Sequence, residues 1–326
     1  MQNKIYPVLN AKFWWAYFIT MRPYLLFVSG AAGLIGLAFI ENPSTFRLLL
    51  AFIPLLLSYG FGQALTDCFQ TDTDSISSPY RPLVKGTISK KQVLIISLIG
   101  LIIGVLILGY LNPKILILGL LAIIGLLTYT YLKRTWWGGP PWNSWIVTLL
   151  PIMGRLVDRE YYFKCLVNLH DSYSLAFIFS IIAIFFGYAN FVVMGYFKDI
   201  MADTKTGYRT FPVVFGWTAN TIYSDILALL TALLSGYAIF FLIKTNLYGS
   251  IVFTIALIIN IYAQLKIHLT KDENKSHGPI ENIVRAFILY CLALTLTLKS
   301  NWLIFIILFY ILFEINLKFR PEKKQV

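Results

Sequence analysis

The chain has 326 residues, of which 58% are hydrophobic and only 13% are charged, with a mean hydropathy of +0.72. Soluble domains carry about 25% charged residues, so this composition excludes an ordinary soluble fold. The net charge of +12 at pH 7 is typical of basic loops that face the cytoplasm and anionic lipid headgroups, so we do not interpret it as nucleic-acid binding.

Ten apolar segments follow one another along the chain. They cover residues 23–40, 47–66, 92–111, 113–132, 143–157, 173–196, 219–243, 247–268, 279–298 and 301–318. Segments near 20 residues match a hydrocarbon core of about 30 Å at 1.5 Å per helical residue. The fifth segment is the weakest, because Pro151 and Arg155 interrupt it. The sequence predicts an all-α, polytopic membrane helical bundle of nine to ten transmembrane helices, forming one domain over residues 1–326.

Lys and Arg are unevenly distributed between the two faces of this bundle. With ten spans, nineteen of the 27 basic residues lie on the face that holds both termini, seven lie on the other face, and Arg285 lies inside a span. Basic residues accumulate on the cytoplasmic side of membrane proteins. We therefore expect an integral, multi-pass protein whose two long polar loops, 67–91 and 197–218, face the cytoplasm.

The first long loop, within residues 63–91, carries three carboxylates in eight residues: Asp67, Asp72 and Asp74. If the preceding helix continues through the loop, Gln63, Asp67, Gln70 and Asp74 share one stripe, with Thr66 on a neighbouring line. Carboxylates this close repel one another unless a cation gathers them. Mg²⁺ binds through one or two carboxylates, waters and substrate phosphates. The loop is therefore predicted to hold Mg²⁺.

The second long loop, within residues 196–218, repeats this pattern after the sixth segment. Asp199 and Asp203 are four residues apart, and Lys198, Lys205 and Arg209 surround them. A metal–diphosphate complex requires both charges, because carboxylates hold the metal and cations meet the remaining phosphate oxygens. One such cluster alone is typical of a solvated loop. Two clusters on the same face favour a functional site.

Other metal and cofactor motifs are absent from the sequence. Cys68, Cys165 and Cys291 have no metal-ligand spacing, and the three histidines are scattered. No P-loop, HExxH or CxxC motif occurs. We expect the cysteines to be ordinary small residues without a disulfide framework.

Three polar side chains lie at cytoplasmic ends of the apolar segments, where a central reaction chamber would open. These are Tyr129, Asn143 and Tyr196. Asn143 is interpreted either as a helix cap or as a substrate contact. Aromatic faces in an apolar chamber can stabilise an allylic cation. A central chamber beneath a polar cytoplasmic cap is the expected architecture.

The two acidic loops together resemble the UbiA superfamily of intramembrane prenyltransferases. Asp199, Asp203 and Gly207, followed by residues 210–216 (TFPVVFG), resemble the family's DxxxDxxxG motif and its T-x-P-V-x-x-G continuation. The first loop resembles the NDxxDxxxD region that ends in RPL, and Arg22-Pro23 resembles the family's start. Thr66 and Gln70 depart from it, since the family usually has Asn and Asp there. The family usually also has nine spans.

The resemblance implies that the enzyme ionises an isoprenyl diphosphate with Mg²⁺. The implied metal ligands are Asp67, Asp72, Asp74, Asp199 and Asp203, and Asp67, Asp74, Asp199, Asp203 and Lys198 are the implied catalytic residues. The implied substrate contacts are Gln63, Thr66, Gln70, Arg81, Lys85, Tyr129, Lys133, Asn143, Tyr196 and Arg209.

Three functions remain open from the sequence. The first is transfer of the prenyl group to a hydrophobic acceptor, either an aromatic compound, a quinone precursor or a lipid. The second is a terpene cyclase, which needs no acceptor because the cation attacks the substrate's own double bonds. The third is an ion-coupled transporter. A transporter predicts carboxylates near mid-span, whereas the acidic residues here lie at one face.

Overall fold

A computed structural model describes residues 5–158 and 171–322. These ranges contain thirteen α-helices joined by short loops and 3-10 turns, and they contain no β-strand. In chain order the helices are α1 (Ala11–Thr20), α2 (Leu26–Ala38), α3 (Thr45–Asp67), α4 (Thr71–Ser77), α5 (Lys90–Leu111), α6 (Ile115–Lys133), α7 (Gly139–Leu156), α8 (Ser172–Gly195), α9 (Ile200–Thr206), α10 (Phe211–Tyr237), α11 (Leu247–Thr270), α12 (His277–Leu298) and α13 (Leu303–Lys318). The predicted all-α fold is confirmed.

Eight of the described helices are long and apolar enough to cross a membrane: α3, α5, α6, α8, α10, α11, α12 and α13. The pair α1 and α2, which bends by 49° at the break between them, raises this number to nine. The fifth predicted segment lies in α7, which is helical and largely buried but is not among these spans. The chain is a multi-pass membrane protein, and its described residues contain eight or nine helices that could span the bilayer.

Helices α8 and α12 form the interior of the bundle. In the most apolar 18-residue stretch of each of these two helices, 67% and 83% of the residues are buried. The corresponding fraction in the other six spans is 22–39%. Helix α12 packs against α2, α8 and α11, whereas α5, α6 and α13 turn most of their surface outward. A helix that is apolar all round is stable only when it is enclosed by protein or lipid.

Helix α7 is held close to α2 by small residues. A Cβ atom added at Gly36 would lie only 2.0 Å from the carbonyl oxygen of Pro151, and one added at Gly154 would lie 2.8 Å from that of Gly33. Small residues let membrane helices approach until their backbones touch. This contact fixes the position of α7 in the bundle.

Helix α3 does not continue through the first acidic loop. It ends at Asp67, and the separate helix α4 begins at Thr71 after Gln70, whose φ of −119° and ψ of 16° are not helical. The predicted stripe of Gln63, Asp67, Gln70 and Asp74 on one continuous helix is therefore wrong. Because of this break, Asp67, Asp72 and Asp74 contact different partners.

The polar connections join into one cap at the end of the bundle. Helices α4 and α9 pack together, and a hydrogen bond of 3.2 Å links the hydroxyl groups of Thr73 and Thr206. The backbone N–H of Arg209 donates to the carbonyl oxygen of Arg134 at 2.9 Å, which ties in the connection after α6. The ends of α3, α6 and α8 therefore meet beneath a shared cover.

Candidate active site

A cavity of about 340 Å³ lies between α3, α5, α6, α7 and α8. Thr66 and Pro54 both line it and are twelve residues apart on α3, which is about 18 Å at 1.5 Å per residue. The end near the cap is polar, and it is lined by Arg22, Gln63, Thr66, Gln70, Asp74, Arg81, Tyr129, Lys133, Asn143, Tyr196, Lys198 and Asp199. The rest is apolar, with lining residues that include Leu57, Leu101, Leu108, Leu126, Leu150 and Met153. The cavity therefore suits a long apolar molecule with a charged head.

Asp67 is the last residue of α3, and its carboxylate contacts the side chains of two arginines. Its carboxylate is 2% exposed and accepts two hydrogen bonds from the Arg22 guanidinium, at 3.0 and 3.1 Å. Gln63 donates to the same carboxylate at 2.6 Å, and the Arg81 guanidinium lies 3.7 Å away. Asp67 does not line the cavity, whereas both arginines do. Its contacts therefore aim guanidinium groups at the cavity.

Arg22 itself occupies a strained backbone position. Its φ of 53° and ψ of 72° lie in the left-handed region, at the break between α1 and Pro23. Such a conformation costs a non-glycine residue about 1–3 kcal/mol and persists only where surrounding contacts impose it. The ion pair with Asp67 is one such contact. The sequence identified Arg22 only as part of a family resemblance, because its partner lies 45 residues away.

Asp72 and Asp74, two residues apart on α4, face opposite ways. Asp74 is buried, lines the cavity and forms an ion pair with Arg81. Asp72 is half exposed and lies away from the cavity, where Arg134 and the Tyr208 hydroxyl donate to its two oxygens, each at 3.1 Å. Of the three acids predicted in this loop, only Asp74 borders the cavity.

Gln70 lies in the cavity wall and is held at both ends of its amide. The Lys133 ammonium group donates to its Oε1 atom at 2.8 Å, and its own Nε2 atom donates to the Thr130 hydroxyl at 3.2 Å. Gln70 and Lys133 are 6% and 7% exposed. The ammonium group therefore places a positive charge 2.8 Å from the one atom of this side chain that could coordinate a metal ion.

The second acidic loop presents its carboxylates differently. A 3-10 turn at Tyr196–Lys198 ends α8, and Asp199 precedes α9, with the Asp203 N–H donating to the Asp199 carbonyl oxygen at 2.7 Å. Asp199 lines the cavity, whereas Asp203 lies outside the lining and is fully buried. The Asp203 Oδ2 atom accepts from the Thr210 hydroxyl at 3.0 Å, while its Oδ1 atom has no hydrogen-bond partner among the described residues.

Burial raises the pKa of Asp203 to about 7, against the opposing field of Lys133. A buried carboxylate oxygen without a donor fits a cation ligand, because a bound cation would supply the missing charge. In the part of the chain that the structure describes, no three His, Cys, Asp or Glu side chains lie close enough to hold a metal ion by themselves. Mg²⁺ at Asp199 and Asp203 would therefore take its other ligands from water and substrate, as it commonly does.

Aromatic side chains line the cavity just below the polar end. Tyr59 and Tyr188 form an edge contact with ring centroids 6.5 Å apart, and Phe191 contacts Tyr188 at 5.6 Å. Sequence reasoning missed these three. For Tyr59 the sequence did carry a signal: Tyr59, Gln63 and Thr66 are four and three residues apart on α3 and therefore share one face of that helix.

Tyr129, Asn143 and Tyr196 lie together at the polar end of the cavity. Tyr129 lies beside both of the others, and all three line the cavity. The position of Tyr196 depends on a glycine, since a Cβ atom at Gly139 would lie 1.8 Å from the Tyr196 hydroxyl oxygen.

Two predicted substrate contacts lie elsewhere. Lys85 is exposed and lines a separate recess with Tyr6 and Lys12, and Arg209 is exposed on the outer side of the cap. Both lie outside the cavity lining. Cys68 and Cys291 are buried free thiols, while Cys165 lies outside the described residues.

Known proteins resemble this chain over most of its length. The profile of the UbiA prenyltransferase family matches residues 25–279. The digeranylgeranylglyceryl phosphate synthase of Pyrococcus abyssi (strain GE5 / Orsay) is 27% identical over 226 residues, which is 68% of this chain and 76% of that protein. The chloroplastic 2-acylphloroglucinol 4-prenyltransferase of Humulus lupulus is also 27% identical over 226 residues, 66% of this chain and 54% of that protein.

The fold is likewise similar to a solved structure. A UbiA homologue from Archaeoglobus fulgidus, bound to DMAPP and Mg²⁺, superposes with a TM-score of 0.62 at 19% sequence identity. The superposition covers 86% of this chain and 98% of the homologue. At this identity the likeness establishes the fold of the bundle.

Proposed function

This chain belongs to the UbiA prenyltransferase family, whose members act on isoprenyl diphosphates, and we propose that it transfers a long prenyl group to a lipid acceptor with the help of Mg²⁺. The observation that carries the proposal is the cavity, which joins a polar, multiply charged end to an apolar remainder and extends about 18 Å along α3 from Thr66 to Pro54. A diphosphate with a prenyl tail has the same division of polarity.

Four basic side chains of the lining would bind the diphosphate. Arg22, Arg81, Lys133 and Lys198 all border the polar end, and guanidinium and ammonium groups form strong charge-assisted hydrogen bonds with phosphate oxygens. Asp199 and Asp203 would hold Mg²⁺, which, when bound, supplies positive charge that makes diphosphate a better leaving group. Support for this metal comes from the unpartnered Oδ1 atom of Asp203 and from the homologue that binds DMAPP and Mg²⁺.

The reaction would begin when the bond between C1 of the prenyl group and the diphosphate oxygen breaks. The bonding electrons stay with the diphosphate, and the allylic cation remains in the apolar part of the cavity, beside the Tyr59 and Tyr188 rings. An acceptor hydroxyl oxygen then attacks C1, and its proton is released to the departing diphosphate. The apolar walls keep water from C1, and the aromatic faces stabilise the cation.

A lipid acceptor is preferred over an aromatic one by the similarities. The Pyrococcus abyssi relative is named for a glyceryl phosphate lipid, and this chain covers 76% of it. The Humulus lupulus relative is named for an acylphloroglucinol, and this chain covers 54% of it. We therefore propose a glycerol-based lipid alcohol as the acceptor.

The cap is inferred to face the cytoplasm. The basis is the excess of Lys and Arg on the face that holds both long loops. A cysteine placed at exposed Lys205 should react with an impermeant maleimide only when the cytoplasmic side is accessible. Labelling of intact cells from outside would reverse the assignment.

The test of function uses purified full-length protein, Mg²⁺ and geranylgeranyl diphosphate, with and without a geranylgeranylated glycerol phosphate. We expect diphosphate release to require the acceptor and to yield a diether product, and Asp203→Asn to abolish both. Release without acceptor, together with a cyclic hydrocarbon, would instead establish the terpene cyclase, which the Gln70 and Thr66 departures in the first acidic loop keep as the second candidate.

A further inference from the structure

The two acidic loops differ in what already neutralises their carboxylates. In the first loop each acid is paired with a guanidinium group: Asp67 with Arg22, Asp74 with Arg81, and Asp72 with Arg134. Guanidinium groups remain charged at every physiological pH. A divalent cation entering this loop would have to displace or approach these fixed positive charges.

The Gln70 amide oxygen on this side of the cavity also lies beside a cation. The Gln70 amide brings no charge, and its Oε1 atom accepts from the Lys133 ammonium group at 2.8 Å. Thr130 holds the other end of the amide, so rotating it would break two hydrogen bonds in a buried place. The side of the cavity formed by the first loop therefore presents basic groups.

The second loop has the opposite character. Asp199 borders the cavity, whereas Asp203 lies outside its lining and is fully buried, with one carboxylate oxygen that has no hydrogen-bond partner among the described residues. Among the described residues neither acid forms an ion pair within 4.0 Å. Buried carboxylates are stable only when a charge or hydrogen bond compensates them. Asp203 has the Thr210 hydroxyl group and the field of Lys133 as partial compensation but no ion pair, whereas every acid of the first loop is paired with an arginine.

We propose that this enzyme binds a single divalent cation, at Asp199 and Asp203, and that Arg22, Arg81 and Lys133 grip the diphosphate directly from the other side. The proposal rests on the proposed function, since it assumes a diphosphate in the cavity. In place of the carboxylate–metal contacts predicted for Asp67, Asp72 and Asp74, these acids position basic side chains. The Lys133 ammonium group supplies the positive charge that a second metal ion would otherwise bring.

The deciding experiment counts bound metal ions in the detergent-solubilised full chain. The probe is Mn²⁺, with the thiolo analogue of geranylgeranyl diphosphate, whose C–S bond resists ionisation. Electron paramagnetic resonance of free Mn²⁺ then gives the number bound per chain. We expect one ion in the wild type and in Asp74→Asn, and none in Asp203→Asn. Asp72→Asn, on the same loop but outside the cavity, is the matched control and should retain one ion.

Two bound ions in the wild type, or loss of the ion in Asp74→Asn, would overturn the proposal. Failure of the analogue to bind at all, with or without Mn²⁺, would instead refute the proposed function. These outcomes are separated by measuring analogue binding by calorimetry in the same samples.

A second measurement tests the direct grip. Inorganic diphosphate should bind the wild type in EDTA, without any metal, and Lys133→Met should weaken that binding at least tenfold while the Mn²⁺ count stays at one. Size-exclusion chromatography excludes misfolding of the variant. Unchanged metal-free affinity in Lys133→Met, or a wild type that binds diphosphate only with metal, would contradict the role of Lys133.

Discussion

Replacing Asp67 separates its two possible roles, metal ligand and arginine anchor. The structure gives it two hydrogen bonds from Arg22, one from Gln63 and a contact of 3.7 Å with Arg81, all in a buried site. Removing one partner of a buried ion pair costs about 3–5 kcal/mol, because the other charge is left without compensation. Asp67→Asn keeps the shape and removes the charge, so we expect a loss of stability of about 3 kcal/mol.

The assay is unfolding in mixed detergent micelles, followed by tryptophan fluorescence, with diphosphate binding measured in parallel. Asp72→Asn is the control, since its pair with Arg134 is about half exposed on both sides and should contribute about 1 kcal/mol or less. The anchor role also predicts weaker diphosphate binding in Asp67→Asn with an unchanged Mn²⁺ count. Equal stability of the two variants, or a lost ion in Asp67→Asn, would refute the reasoning.

Three further predictions concern the cavity. Asp203→Ala should lower turnover at least a hundredfold while membrane insertion is unchanged; near-normal diphosphate release would remove it from the site. Gly104→Leu should fill the deep cavity, where the nearest described atom to an added Cβ is the Pro54 Cβ, at 3.4 Å. The substitution should shift kcat/KM at least tenfold toward shorter donors; an unchanged ratio would place the tail elsewhere. Gly139→Ala should displace the Tyr196 hydroxyl and lower kcat/KM about tenfold, with partial rescue by Tyr196→Phe, and absence of rescue would indicate a different clash.

The sequence predicted the helices well because the bilayer leaves few alternatives. A backbone in lipid must satisfy its own hydrogen bonds, so each long apolar segment reads as a helix. All ten segments are helical, including the fifth, which lies in α7 and is less apolar than the spans because it contains Asn143, Pro151 and Arg155. Its burial depends on Gly36 and Gly154, a pairing that no local pattern shows.

The candidate site was predicted less completely, because loop geometry decides which side chains meet. The sequence located both acidic loops and Lys133, Tyr129 and Tyr196, which all border the cavity. The partners of the acids could not be read from it, because the helix break at Gln70 turns Asp72 away from Asp74. Lys85 is predicted as a substrate contact at the end of the first acidic loop, yet the structure leaves it exposed and outside the cavity lining. The metal ligands themselves stay predictions.

The outer contact of the cap, between Asp72 and Arg134, has a kinetic consequence. Its side chains are 43% and 49% exposed, whereas those of the Arg22–Asp67 pair beneath it are 9% and 2% exposed. Mobile ions screen exposed charges over a Debye length of about 8 Å at physiological ionic strength but reach buried pairs far less. Raising the salt concentration therefore loosens the rim of the cap before it disturbs the interior. Where departure of the products limits turnover, kcat should rise with moderate salt while the buried Arg22–Asp67 pair stays intact.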